Sequence, residues 1–192
     1  MGTLHPTFIV GIGGSAGGLN AFMGLLGALP PQTGMAFVIV SHMLPAAHSE
    51  LAQILSRYTT MPVQVASTEM PIRANHVYVS PSNADLLIER DAFEVVSPRT
   101  GRNKQVDTLF ISLAEALGAR AIGIILSGYD GDGTEGCKHI KVKGGTTFAQ
   151  DMSAEVNGMP LSAQASGCVD FVLPPDKIPE ELAKIGARVA QD

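Results

Sequence analysis

"TFIVGIGGSAGGLNAFMGLLGAL", residues 7–29, joins a short apolar run to a glycine-rich turn and then to apolar positions that recur with helical period. The run at 7–12 is short and bounded by glycine, which predicts a buried strand. The segment 19–29 predicts the helix that follows. Pro30 and Pro31 end it, because the residue before a proline is pushed out of helical geometry. Strand, tight turn and helix in that order open an α/β unit. Working outward, "MAFVIVSH" (35–42) predicts a second strand with no polar alternation, as expected of a parallel strand covered on both faces. "SELAQILSRY" (49–58) predicts an amphipathic helix with Ser49 as its N-cap.

The middle of the chain changes style. "MPVQVAS" (61–67), "HVYVSP" (76–81), "DLLIER" (85–90) and "AFEVVSP" (92–98) are short and closely spaced. They predict a strand at 76–80 feeding an antiparallel hairpin, 85–90 with 92–97, which turns at Arg90-Asp91. Beyond a polar loop, "VDTLFISLAEALG" (106–118) predicts a helix, "AIGIILSG" (121–128) a third buried strand, and 132–145 a loop and helix. "TTFAQD" (146–151) and "VDFVLP" (169–174) predict strands, with a short helix at 161–167 between them and a closing helix at 176–191. No repeat, linker or low-complexity tract interrupts the pattern. The expectation is one α/β domain over residues 1–192: a doubly wound, mostly parallel sheet with helices on both faces and an antiparallel hairpin.

Composition agrees with a well-buried core, since 45% of residues are hydrophobic and only 16% charged. A net charge of −5 argues against nucleic acid as a partner, because phosphate contacts need clustered Lys and Arg. The basic stretch from Arg99 to Lys104 reads as a solvated loop. Cys137 and Cys168 form neither a disulfide framework nor a zinc-site spacing, and read as buried thiols of a cytosolic protein. No run of about 18 apolar residues occurs and no signal peptide opens the chain, so a cytoplasmic protein without membrane insertion is expected.

The turn "GIGGSA" (11–16) satisfies the G-x-G-x-x-G/A dinucleotide pattern between a strand and a helix. Such sites place an acid near the end of the second strand to bind the ribose. Here that strand ends in Ser41-His42-Met43, so a proton acceptor stands where the acid belongs. No Gly-Lys-Ser/Thr occurs either, which removes the Walker pattern. The other reading makes Ser15 a nucleophile. A serine hydroxyl needs a nearby imidazole, itself oriented by a carboxylate. In an open parallel sheet the carboxyl ends of neighbouring strands share one crevice. Ser15 lies just past strand one and His42 at the end of strand two, while "SGYDGDG" (127–133) follows the third buried strand and offers Asp130 and Asp132. The arrangement predicts a serine hydrolase, with Nε2 of His42 facing Ser15 Oγ. A plain helix cap at Ser15, and a plain turn at Asp-Gly-Asp-Gly, are the structural alternatives.

"GIGGSAGGL", "SHM", "HVYVSP", "VDTLF" and "AIGIILSGYDGDGTEG…GG…AQD…GMP" resemble, in order, the catalytic domain of bacterial chemotaxis protein-glutamate methylesterases of the CheB type. The similarity runs from about residue 7 to 185. The resemblance implies hydrolysis of γ-glutamyl methyl esters on methyl-accepting chemoreceptors, and deamidation of certain receptor glutamines. It implies Ser15 as nucleophile, His42 as general base and then acid, and Asp132, not Asp130, as the residue that orients the imidazole. Tyr129 matches a position whose backbone N–H helps form the oxyanion hole, with Ala16 as a second donor. No metal or organic cofactor is implied. The partners implied are the cytoplasmic helices of chemoreceptors and a receiver or sensor protein acting in trans, since the family's N-terminal receiver domain is not in this sequence. A signalling module with another ester substrate, or with lost activity, is the alternative on the same fold. One departure stands out. "GRNKQVD" (101–107) lacks the His-Arg-Pro-Ser run that many members carry before "VD".

Overall fold

The computed structural model describes residues 4–42 and 48–191, with the backbone alone for 48 and 49. The predicted cap at Ser49 therefore lies outside the described side chains. Strands β1 (Ile9–Gly14), β2 (Ala36–Ser41), β3 (Val63–Val65), β4 (His76–Val79), β7 (Ala121–Ile125), β8 (Thr146–Gln150) and β9 (Phe171–Leu173) form one sheet. Its order is β3-β4-β2-β1-β7-β8-β9, and every pairing is parallel. β5 (Asp85–Glu89) and β6 (Ala92–Val96) form the separate antiparallel hairpin, turning at Arg90-Asp91 with Arg90 at φ 56°. Successive strands run outward from β1 to one side and then, from β7, to the other. The strand order thus reverses between β1 and β7, the switch point at which open α/β sheets place their sites.

Alternate residues of each strand feed opposite faces. Val10, Ile12, Phe37, Ile39 and Phe148 pack under α1 (Gly18–Ala28), α2 (His48–Leu55) and α6 (Ile178–Val189). Ile9, Val38, Tyr78 and Ile125 pack under α3 (Gln105–Leu117), α4 (Thr134–Val142), α5 (Gly158–Ala165) and the hairpin. Burying each large apolar side chain of these layers contributes about 1.5–3 kcal/mol. The doubly wound fold with its hairpin is as expected.

The structure differs from expectation at the glycines. β1 runs on through Gly13 and Gly14, where the sequence predicted a turn from residue 13. Those glycines do not bend the chain; they thin the sheet. A Cβ on Gly13 would stand 2.5 Å from Val106 Cγ1, and one on Gly11 would stand 2.9 Å from the Phe110 ring. On β7, a Cβ on Gly123 would meet Ile140 at 2.6 Å and Phe110 at 2.8 Å. With no side chains between them, α3 lies directly on the two central strands.

Candidate active site

Ser15 begins where β1 stops. Its N–H donates to the Ser127 carbonyl past β7 at 2.8 Å, and its own carbonyl accepts from Gly18 at 2.9 Å. It does not cap α1. Gly17, at φ 71°, holds the cap position and has no side chain to cap the helix. The Ser15 hydroxyl is thus left for other partners. It accepts the Tyr129 N–H at 3.2 Å and turns its own proton toward Met159 Sδ at 3.6 Å.

His42 arrives from the neighbouring strand. The parallel register pairs Gly14 with Ser41, and the His42 N–H donates to the Gly14 carbonyl at 3.2 Å. Ser15 and His42 therefore stand side by side at adjacent strand ends. The imidazole is almost enclosed, with 8% of its side chain exposed. Its Nε2 bonds Asp132 Oδ2 at 2.6 Å.

Asp132 is held from a third direction. It is buried, and its Oδ2 also accepts the Val106 N–H at 3.0 Å while Oδ1 accepts the Asp107 N–H at 2.9 Å. These are free donors of the first turn of α3, a helix that no side chain of its own caps. The helix end favours an anion there, so the carboxylate is an acceptor and Nε2 carries the proton. This corrects the expectation about the ring. Nε2 faces the acid, and the lone pair that can accept a proton is on Nδ1. Among the described residues no hydrogen bond joins Ser15 Oγ to His42.

Asp130 is not a bystander to this geometry. Its Oδ1 accepts the Asp132 N–H at 3.0 Å, closing the predicted turn, while its Oδ2 lies 3.6 Å from His42 Nδ1. Ala16, in the loop after β1, has no hydrogen-bond partner for its N–H among the described residues. Tyr129 is itself 76% exposed.

Three residues of this arrangement went unassigned in the sequence. Asp107 Oδ1 accepts the N–H groups of Gly133 at 2.9 Å and Gly136 at 2.8 Å, capping α4 as Asp132 caps α3. Burial pushes its carboxyl above the ordinary range; the Asp132 charge adds to this, and the two N–H bonds oppose it. Ser127 is fully buried and ties three loops together. Its hydroxyl donates to the Ala16 carbonyl at 2.7 Å and accepts the Val156 N–H at 3.0 Å, and its own N–H donates to Gln150 Oε1 at 3.0 Å. Met159, at the start of α5, supplies the sulfur that Ser15 faces. Asp107 had a visible signal, an acid in the first turn of a helix, but its use by a different helix was not visible. Ser127 and Met159 carry no such signal.

Elsewhere, Cys137 is buried, and burial raises its thiol well above the usual range. Cys168 is only half-buried, which corrects its assignment as a core thiol. It lies just past the Ser166-Gly167 turn that follows α5 and packs against the core only in part. A groove of about 360 Å³ beside Thr7, Met35 and Leu182 lies at the amino ends of the strands, away from Ser15. No helix among the described residues is long and apolar enough to cross a membrane.

Comparisons with known proteins place this geometry in context. The family model described as CheB methylesterase matches residues 10–182. A protein of Leptospira interrogans, provisionally named a protein-glutamate methylesterase/protein-glutamine glutaminase, is 38% identical over 91% of this chain and 92% of its own length. Proteins bearing that double name from Hydrogenovibrio crunogenus and Burkholderia pseudomallei are 35% and 36% identical over 91% and 93% of this chain. The chain spans about half of those two relatives, 48% and 52%. The crystal structure of the Thermotoga maritima CheB methylesterase catalytic domain superposes with a TM-score of 0.86 at 30% identity, covering 93% of this chain and 98% of that one.

Proposed function

The chain belongs to the CheB methylesterase family, and from that premise we propose that it hydrolyses glutamate γ-methyl esters of methyl-accepting chemoreceptors by acyl transfer through Ser15. Receptor glutamines are the second substrate class at the same site. The observation that carries this reading is the 2.6 Å bond from His42 Nε2 to an Asp132 pinned by the N-terminus of α3. It supports the tautomer with the proton on Nε2, in which Nδ1 is the base beside the serine's strand end.

The reaction then runs through the chain's own groups. Ser15 Oγ turns from Met159 Sδ toward Nδ1, gives up its proton and attacks the ester carbonyl. The carbonyl oxygen takes the negative charge and accepts from the Tyr129 N–H, with the Ala16 N–H as second donor. Collapse breaks the bond to methoxide, which takes the proton from Nδ1 and leaves as methanol. Water then gives a proton to Nδ1 as it attacks the acyl carbon; collapse breaks the bond to Ser15 Oγ, which takes that proton back from Nδ1, and the glutamic acid formed ionises to the carboxylate. The same sequence on a glutamine releases ammonia in the first half.

Methanol release from a methylated receptor tests the reading. Ser15→Ala and His42→Ala are each expected to lower kcat on the order of 10⁴-fold. Unchanged release by Ser15→Ala would remove Ser15 from the chemistry. Labelling by a serine-directed phosphonate, absent in Ser15→Ala, separates an active esterase with a different substrate from a module that has lost its activity.

A further inference from the structure

His42 has a carboxylate on each side of its ring, and only one of them is accounted for by the triad. Asp132 takes Nε2 at 2.6 Å; Asp130 Oδ2 stands 3.6 Å from Nδ1. While the imidazole is neutral, Nδ1 presents a lone pair, and a carboxylate facing a lone pair gains nothing. The contact becomes attractive only when Nδ1 holds a proton. That is the state reached when Ser15 attacks, and it lasts until methoxide or ammonia takes the proton away. We propose that Asp130 is a positioning residue that acts through His42, holding the imidazolium of the transition state between two carboxylates so that the positive charge formed at Nδ1 has a partner at each nitrogen. This rests on the proposed role of Ser15 and His42.

The electrostatics favour a real but bounded effect. The ring is nearly enclosed, while the Asp130 side chain is 33% exposed, so water screens it in part. Because the attraction exists in the transition state and not in the free enzyme, it raises kcat without tightening substrate binding. The turn around Asp130 is a separate duty, performed by the other oxygen. Oδ1 accepts the Asp132 N–H at 3.0 Å, and an amide oxygen does that equally well.

That division sets the experiment. Asp130→Asn keeps the turn acceptor and removes the charge; Asp130→Glu keeps a carboxylate; Asp130→Ala removes both. For Asp130→Asn the expected result is a loss of about three- to tenfold in kcat for methanol release and in the rate of phosphonate inactivation, with KM unchanged. Asp130→Glu is expected to recover a large part of the loss, and the melting temperature of Asp130→Asn to match the unmodified protein. Asp130→Asn reacting as fast as the unmodified protein, or Asp130→Glu as slow as Asp130→Asn, overturns the proposal. So does a loss that appears in KM alone. The phosphonate needs no receptor. An unmodified protein that reacts with it but releases no methanol disproves the receptor substrate alone, and one that does not react disproves the nucleophile.

Discussion

Asp132 serves two neighbours at once, and its replacements should separate them. Asp132→Asn keeps an oxygen for the α3 donors but can present a neutral amide to His42, losing control of the tautomer. A fall on the order of 10⁴-fold in kcat, with a nearly unchanged melting temperature, is expected. Asp132→Ala should also lose stability, since the Val106 and Asp107 N–H groups are left without a partner. The cysteines give a second residue-scale test. Cys137 is buried with its thiol pushed toward the protonated form, and Cys168 is half-buried. Mass spectrometry after brief treatment of the native protein with iodoacetamide at pH 8 should therefore find label on Cys168 and none on Cys137.

At the scale of elements, α3 and α4 exchange caps: Asp132, from the loop that leads into α4, closes α3, and Asp107, from the first turn of α3, closes α4. Asp107→Ala should cost about 1–2 kcal/mol in urea unfolding, and Asp107→Asn much less. The unmodified protein differs from both variants in pH dependence. Burial raises the Asp107 pKa in the folded state, so the folded protein holds that proton more tightly than the unfolded chain. Its contribution is full below the unfolded value of about 4 and declines as pH rises through the higher folded value. The stability of the unmodified protein relative to Asp107→Asn should therefore fall as pH rises from about 4. A difference that stays flat over that range would show that the carboxyl titrates normally.

For the whole molecule, the distance between α3 and the central strands links packing to chemistry. Val106 fills the space that a Gly13 side chain would take, and the same residue's N–H holds Asp132. Gly13→Ala should push α3 away, costing about 1–3 kcal/mol of stability and lowering kcat together. Combining it with Val106→Ala restores room for the added methyl. The double variant should then be at least about 1 kcal/mol more stable than the sum of the single effects. Strict additivity would mean that α3 does not ride on that contact.

Much of this was legible in the residues themselves. The strands and helices followed from apolar runs and helical period, and the placing of Ser15, His42 and Asp132 at strand ends followed from the rule that strands of an open sheet share one crevice. Some details were not. Gly13 read as a turn glycine and Gly11 as a strand residue of a cradle pattern, because sequence shows that a side chain is missing but not what occupies its place; here it is Val106 and Phe110. The helix at 161–167 lies at Gly158–Ala165, since Pro160 sits in its first turn, where its missing N–H costs nothing.

The sequence by itself determined the layered α/β architecture and the chemical types brought to the site, because hydrophobic period and residue chemistry are local properties. The tertiary structure alone decided which histidine nitrogen faces the acid, that two helices trade caps across a loop, and that Asp130 flanks Nδ1. Each depends on atoms distant in the chain meeting within hydrogen-bond reach, and only the packing of α3 onto the sheet fixes those distances.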